Sequence, residues 1–465
     1  MVNQSTYDLA FETVGNATLI VHDGEPLLAT DPWLSGDAYF GSWMLSHAIP
    51  AEQLASIARC DYIWISHGHP DHLHMPSLET LRGKTVLLAD HVGGRIARAL
   101  TDDGYRVSVL PDRQWVPLSS RVRVMAIADP YQDSILLVDL DGVLVIDMND
   151  CNDRGWGPTV RREARRSRKP ILLALAGYGD ADMINYFDPE GNRIPPKAAR
   201  RIPPGIGIAH KMRLLGAQSY IPFATMHRYQ RDDSVWANQY TTPLDVFRDG
   251  FDLDDREVLP AFVRFDCTNH TVEPLDPTAN PIVTKPSTDF GDDWNEILSP
   301  DDLVQINDYF DQVVSLHEIL DTVIVRVGGI DHEFSLGAGT GRSVRFETPR
   351  RSLVNSAKWE VFDDLLIGNF TKTTLLGDWP TRSLRPDFTA RLAKYSDNGL
   401  ARTSADIERY LAEYRRRSRR DFVEYEIRRQ YDGVLRRLAR GARSRMAEGT
   451  PAHRAGQRLY ARTRR

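Results

Sequence analysis

The chain has 465 residues, 42% hydrophobic and 26% charged, with a net charge of −6. That length exceeds what one hydrophobic core serves, and no run of about 18 apolar residues offers a membrane span. Three cysteines (Cys60, Cys151, Cys267) are widely separated and form no Cys-x-x-Cys, which argues against disulfide staples and thiolate zinc sites. The start, MVNQSTYDLAFETVG, has neither a basic nor an apolar leader region, so a cytoplasmic location is expected.

In chain order, residues 6–31 read as a strand meander with HDGEP as its hairpin turn. Tyr62-Ile63-Trp64-Ile65 reads as a buried strand running straight into His67-x-His69-x-Asp71-His72. Residues 85–110 read as strand, helix, strand, with Gly104 placed at the helix C-terminus. RVRVMAIAD is a further strand, and SILLVDLDGVLVIDMND a hairpin turning on Asp141-Gly142. PILLALAGYG follows as a buried strand, then a Pro- and Gly-rich insertion, a helix near 208–216 and a strand at 218–224. Strands apolar enough to be covered on both faces, alternating with helices, imply a layered α/β body over 1–250. The Pro/Asp/Thr-rich 251–290 reads as a linker or long loop, 291–400 as a second, α+β unit, and 401–465 as an Arg-rich helical segment.

From Arg409 to the end there are 18 arginines against 6 acidic residues, which leaves the rest of the chain strongly acidic. Apolar and arginine positions alternate there at helical spacing, which implies a helix docked on the acidic body of its own chain or of a second subunit, with the last dozen residues frayed. A homodimer through this tail is left open. The tail lacks aromatic stacking platforms, so no nucleic-acid partner is expected, and no membrane partner either.

The chemistry concentrates at the strand end. Two histidines one residue apart point the same way, so His67 and His69 can grip one metal ion, while Asp71 and His72 lie past the turn at Pro70 and can face a second about 3.5 Å away. No histidine occurs between His91 and His210. His227, after the strand AQSYIPFATM, is then the candidate for the second ion. VLVIDMNDCN offers a bridging carboxylate, Asp150 ahead of Asp147. The first ion lacks a third protein ligand; Asp129 or Asp133, or water, must serve, and Asp129 is preferred because it ends the preceding strand. Trp33, His91, Arg228 and Tyr229 are pocket candidates that also read as ordinary packing or surface pairing, the structural reading being preferred for His91. The aromatic segment 35–47 could roof the site or simply pack under a loop.

His67-x-His69-x-Asp71-His72, Asp150 and His227 together resemble the metallo-β-lactamase fold, as does GNATLIV…LLATDPWL with its Asp31. That resemblance implies an αββα sandwich with a dinuclear site at one edge and Asp31 supporting the metal loop. The departure is a carboxylate at Asp129/Asp133, where hydrolases of this fold carry histidine. GDDWNEILSP, FDDLLIGNFTKTTL and AKYSDNGLA resemble the C-terminal region of the CMP-N-acetylneuraminate hydroxylase family and its bacterial relatives. Through it alone Asn369, Lys372, Lys394, Tyr395 and Asn398 acquire interest. No Cys-x-His…Cys-x-x-His pair is present in these 465 residues, so a Rieske cluster cannot form within them. Length and layout also resemble the nonheme diiron monooxygenases of actinobacterial natural-product pathways, including the ent-kauranoid hydroxylase type of platensimycin-family biosynthesis. The resemblance implies two irons, O₂ as co-substrate, a ferredoxin or reductase as electron donor, and a small-molecule substrate such as a terpenoid or a CoA-linked intermediate. The alternative is a hydrolase of an ester, thioester or phosphodiester with two zincs or an iron–zinc pair.

Overall fold

The structure, a computed structural model, describes residues 8–177, 183–381 and 383–444. Two large sheets lie face to face. The first has eight strands in the order 271–274, 263–266, 9–14, 18–23, 25–30, 62–65, 85–89 and 106–110; the second has seven, in the order 257–258, 219–222, 169–174, 143–149, 134–140, 122–128 and 115–117. Period-two alternation sorts their side chains between layers. Leu19, Val21 and Trp64 from the first sheet meet Val143, Val145, Leu136 and Val138 from the second. The odd-and-even partners turn outward. Ile20, Ile63 and Ile65 pack under helices Ala51–Arg59 and Arg95–Asp102. Leu144 and Ile146 pack under Gly157–Arg166 and Pro204–Leu215. Helix, sheet, sheet, helix is the αββα architecture of the metallo-β-lactamase fold.

The first part of segment 251–290 supplies strands to the sandwich, and the stretch from 275 to 286 contains no strand. Val263–Asp266 pairs with Leu9–Val14, Thr271–Pro274 extends that edge, and Glu257–Val258 pairs with Ser219–Pro222, so the sandwich reaches beyond residue 270. Its Pro and Asp content reflects edge strands and turns, which tolerate both. The C-terminal unit has its own core around Phe310, Phe346, Phe362 and Phe388. Its five-stranded sheet borrows Tyr186–Phe187, from the Pro- and Gly-rich insertion, beside Lys372–Gly377.

The tail forms two helices, Ser404–Arg417 and Arg419–Ser444. The first buries Tyr410 and Tyr414 at the margin of the inter-sheet core. The second docks with charge opposite to expectation: its Asp421 and Glu424 bind Arg162 and Arg161 of the body at 2.7 and 2.6 Å. Arg417 with Asp90, at 3.5 Å, and Arg402 with Glu360, at 2.7 Å, run in the expected sense. The residues expected to fray lie outside the described residues. No helix among the described residues is long and apolar enough to cross a membrane.

Candidate metal centre

The strand Tyr62–Ile65 runs parallel to both neighbours, and the chain turns sharply after it. Asp31, fully buried at the end of the adjacent strand, clamps both ends of this turn. Its Oδ1 accepts from the Ser66 backbone N–H at 2.7 Å and its Oδ2 lies 2.9 Å from His72 Nδ1. The backbone N–H groups of His72 and Leu73 both return to the His69 carbonyl, tightening the loop. His67 Nε2 and His69 Nδ1 then face one another at 2.8 Å. Asp150, just past the strand Val143–Asn149, brings Oδ2 to 4.0 Å from His67 Nε2 and 3.6 Å from His72 Nε2. His67, His69 and Asp150 form a three-donor cluster within 4.8 Å. On the other side of Asp150, His72 Nε2 lies 3.4 Å from Asp71 Oδ2.

His227 opens a short strand, His227–Tyr229, that pairs with Trp43–Leu45 and is separate from Ser219–Pro222. Its ring stacks on Trp43 at 3.5 Å and 3°. Burial pushes its pKa down to about 3, which keeps the imidazole neutral and able to donate a lone pair. The aromatic loop therefore packs directly onto the site, and Tyr39 OH also donates to Asp71 Oδ1 at 2.5 Å. Asn16 Nδ2 holds Asp71 Oδ2 at 2.9 Å. Trp33 is buried and tilted against His74, which caps helix Met75–Glu79.

The two carboxylates of the 129–133 loop part company. Asp129 Oδ1 accepts from the Tyr131 N–H at 2.7 Å and pairs with Arg154 at 3.2 Å; burial nevertheless pushes its pKa up to about 7. The charge of Asp133 acts on Asp150 and Lys394 and also on Arg154 and His91. Arg154 and the Tyr131 N–H occupy one oxygen of Asp129, while its Oδ2 is buried without a hydrogen-bond partner among the described residues. Asp147 lies deeper in the strand, at 0% exposure, and burial with the charges of Asp31 and Asp150 pushes its carboxyl well up. His91 directs Nδ1 to the Tyr414 hydroxyl at 3.1 Å. Arg228 bonds its neighbour's carbonyl, and Tyr229 OH accepts from Asn369 Nδ2 at 3.0 Å.

Sequence reasoning passed over Asp363, and Lys394 drew attention only through a resemblance. Asp363 Oδ2 and Lys394 Nζ each lie 3.3 Å from His69 Nε2. With Gln132, Asp364, Asp397 and Asn398 they line the cleft above His67 and His69. No local spacing announces them.

The donor set fits divalent metal. His72 Nε2, Asp150 Oδ1 and both nitrogens of His227 are buried without a hydrogen-bond partner among the described residues. Each such atom costs about 1–3 kcal/mol unless something binds it, and neutral imidazoles with carboxylates are the chemistry that transition ions take.

No protein-family model matches the chain. Over 151 residues it is 31% identical to the cytidine monophosphate-N-acetylneuraminic acid hydroxylase of Asterias rubens, covering 30% of this chain and 23% of that protein. Over 187 residues it is 29% identical to the human protein, described as an inactive cytidine monophosphate-N-acetylneuraminic acid hydroxylase, covering 37% of this chain and 35% of that one. The chain is similar in sequence to these hydroxylases. The matched stretches span about a quarter to a third of those relatives' length. Among solved structures, CmlA, a diiron β-hydroxylase from Streptomyces venezuelae, overlaps 46% of this chain and 44% of its own at 17% identity and a TM-score of 0.32. The isothiocyanate hydrolase from Delia radicum gut bacteria overlaps 55% and 98% at 13% identity and 0.38.

Proposed function

We propose that the chain is a nonheme diiron monooxygenase that hydroxylates a small polar molecule, using O₂ and electrons from a donor outside these residues. The donor set of the metal centre carries the reading. His67, His69 and Asp150 would hold one ion with Asp133 beside them; Asp71, His72 and His227 would hold the second, with Asp150 between the two. Carboxylates in place of a further imidazole make the set harder and more anionic, which favours iron over zinc. Two irons, when bound, supply reductive activation of O₂ for insertion of one oxygen atom into a C–H bond. The protein's own part is positional. Asp31 fixes the His72 ring, Trp43 stacks on the His227 ring, and Tyr39 and Asn16 hold Asp71. The roof of Tyr39 and Trp43 excludes water from the buried donors.

The likeness to named hydroxylases supports hydroxylation. The polar cleft of Gln132, Asp364, Asp397 and Asn398 supports a hydroxylated or amide-bearing substrate over a bare terpenoid skeleton, and the relatives named above lend the platensimycin-type resemblance no support.

Elemental analysis with Mössbauer spectroscopy, on protein from iron-fed, zinc-limited cells, tests this. About two coupled irons per chain are expected. Zinc that iron feeding does not displace would make the hydrolase the better reading, with esters, thioesters and phosphodiesters as substrates to screen. The ligand scheme has its own test: Asp133→His should shift metal preference toward zinc, and Asp129→His should not.

A further inference from the structure

The C-terminal unit supplies no strand to the two large sheets and no residue to the proposed ligand set, yet it reaches His69. Helix Phe362–Ile367 is anchored in that unit's core by Phe362, Leu365 and Leu366, which aims the buried Asp363 at the metal loop. Lys394 arrives on a π-helical segment, Ala390–Asn398, a winding often found at functional sites. Close approach of the two units depends on glycine: a Cβ at Gly93 would come within 2.9 Å of the Gly399 carbonyl oxygen, directly after this segment.

Asp363 Oδ2, Lys394 Nζ and His69 Nε2 form a triangle with all three sides at 3.3 Å. The groups are not equivalent. An ammonium only donates and an ionised carboxylate only accepts. If Lys394 donated to Nε2, the proton of the neutral ring would sit on Nδ1, the atom that faces His67 Nε2, and Nδ1 would have no lone pair for a metal. If Asp363 accepts Nε2–H, the Nδ1 lone pair is free. Lys394 then has its own acceptor in Asp363, and the two charges compensate each other away from solvent.

We infer that Asp363 is a positioning residue that selects the metal-ligating tautomer of His69, with Lys394 holding Asp363 in place. The inference rests on the metal centre proposed above. It makes metal affinity in the sandwich depend on a side chain 294 residues away, in a unit that looks accessory from the sequence. Partners of this kind, bonded to the far nitrogen of a ligating histidine, alter metal affinity by about 10–100-fold when removed.

The test uses the full chain with Asp363→Ala, Asp363→Asn and His69→Ala. Cobalt(II) or zinc(II) alone is titrated against a chelator, and ¹⁵N-histidine NMR of the metal-free proteins reports the His69 tautomer. Asp363→Ala should weaken binding of one ion by about 10–100-fold and move the His69 proton from Nε2 toward Nδ1, with Asp363→Asn weakened less. If thermal melting shows that Asp363→Ala does not fold, Asp363→Leu, close in size to Asp and without an acceptor, carries the test. Wild-type affinity or an unchanged tautomer in the folded variant overturns the inference. Should His69→Ala also keep both ions at wild-type affinity, the metal centre itself fails, a result distinct from failure of Asp363 alone.

Discussion

Two buried polar clusters in the sandwich are constructed in opposite ways. Around Glu12, 1% exposed, the bonding is closed: Oε1 accepts from Gln53 at 3.0 Å and Arg264 at 2.8 Å, and Oε2 lies 3.0 Å from His22 Nε2. Arg264 runs on to Glu52 and Glu273. At the metal edge the bonding is open, with His72, His227 and Asp150 each burying an atom that lacks a partner among the described residues. Burial is alike in the two places and bonding is not. A closed network of this kind fixes one arrangement of strands and helix. An open one is tolerable only if a ligand supplies the missing bonds, so the comparison separates scaffold from site without reference to any relative.

The sharpest way to break that contrast is at the open cluster. His69→Ala and His227→Ala should each lose metal, from two ions per chain to one or none by elemental analysis. In melting of the metal-free protein, His227→Ala should lose no hydrogen bond, since neither ring nitrogen has a partner among the described residues. His69→Ala also gives up its contacts with His67 and Asp363. Full occupancy in either variant would remove the reason for calling the cluster open. The closed cluster should answer in the opposite way. Glu12→Ala removes the acceptor shared by Gln53, Arg264 and His22 and should cost about 3 kcal/mol in urea unfolding, with metal content unchanged.

Asp397 offers an intermediate case, buried in the C-terminal unit with Tyr309 OH at 2.9 Å and its pKa pushed up to about 7 by burial. The folded state keeps a proton that the unfolded chain releases near pH 4, so stability is lost as pH rises from about 4 to about 7. Asp397→Asn keeps a partner for Tyr309 and should exceed the parent by roughly 2–4 kcal/mol at pH 8, with the two level at pH 4. Parallel pH–stability curves would show that Asp397 ionises freely in the fold. Least is expected at the tail: Arg162→Ala breaks a partly exposed pair with Asp421 and should change the melting free energy by no more than about 1 kcal/mol.

Local sequence determined a good deal. An apolar strand ending in His67-x-His69-x-Asp71-His72 places its donors within one turn, because strand direction and a tight loop are short-range properties. Alternation along Val143–Asn149 sets which side chains face the opposing sheet and leaves Asp150 just past the strand end. The remaining decisions belong to partners remote in the chain. Arg154, 25 residues downstream, binds one oxygen of Asp129, a contact that strand position does not announce. Residues 257–274 became strands because open sheet edges were there to pair with, which outweighs their Pro and Asp content. Asp363 and Lys394 reached His69 only through the packing of a second core, across 294 and 325 residues. The tail helix docked by its few acids because Arg161 and Arg162 line the surface it meets. Periodicity and donor spacing act over a few residues and can be read directly; ion pairing, edge pairing and the choice of a histidine tautomer depend on what the fold brings alongside.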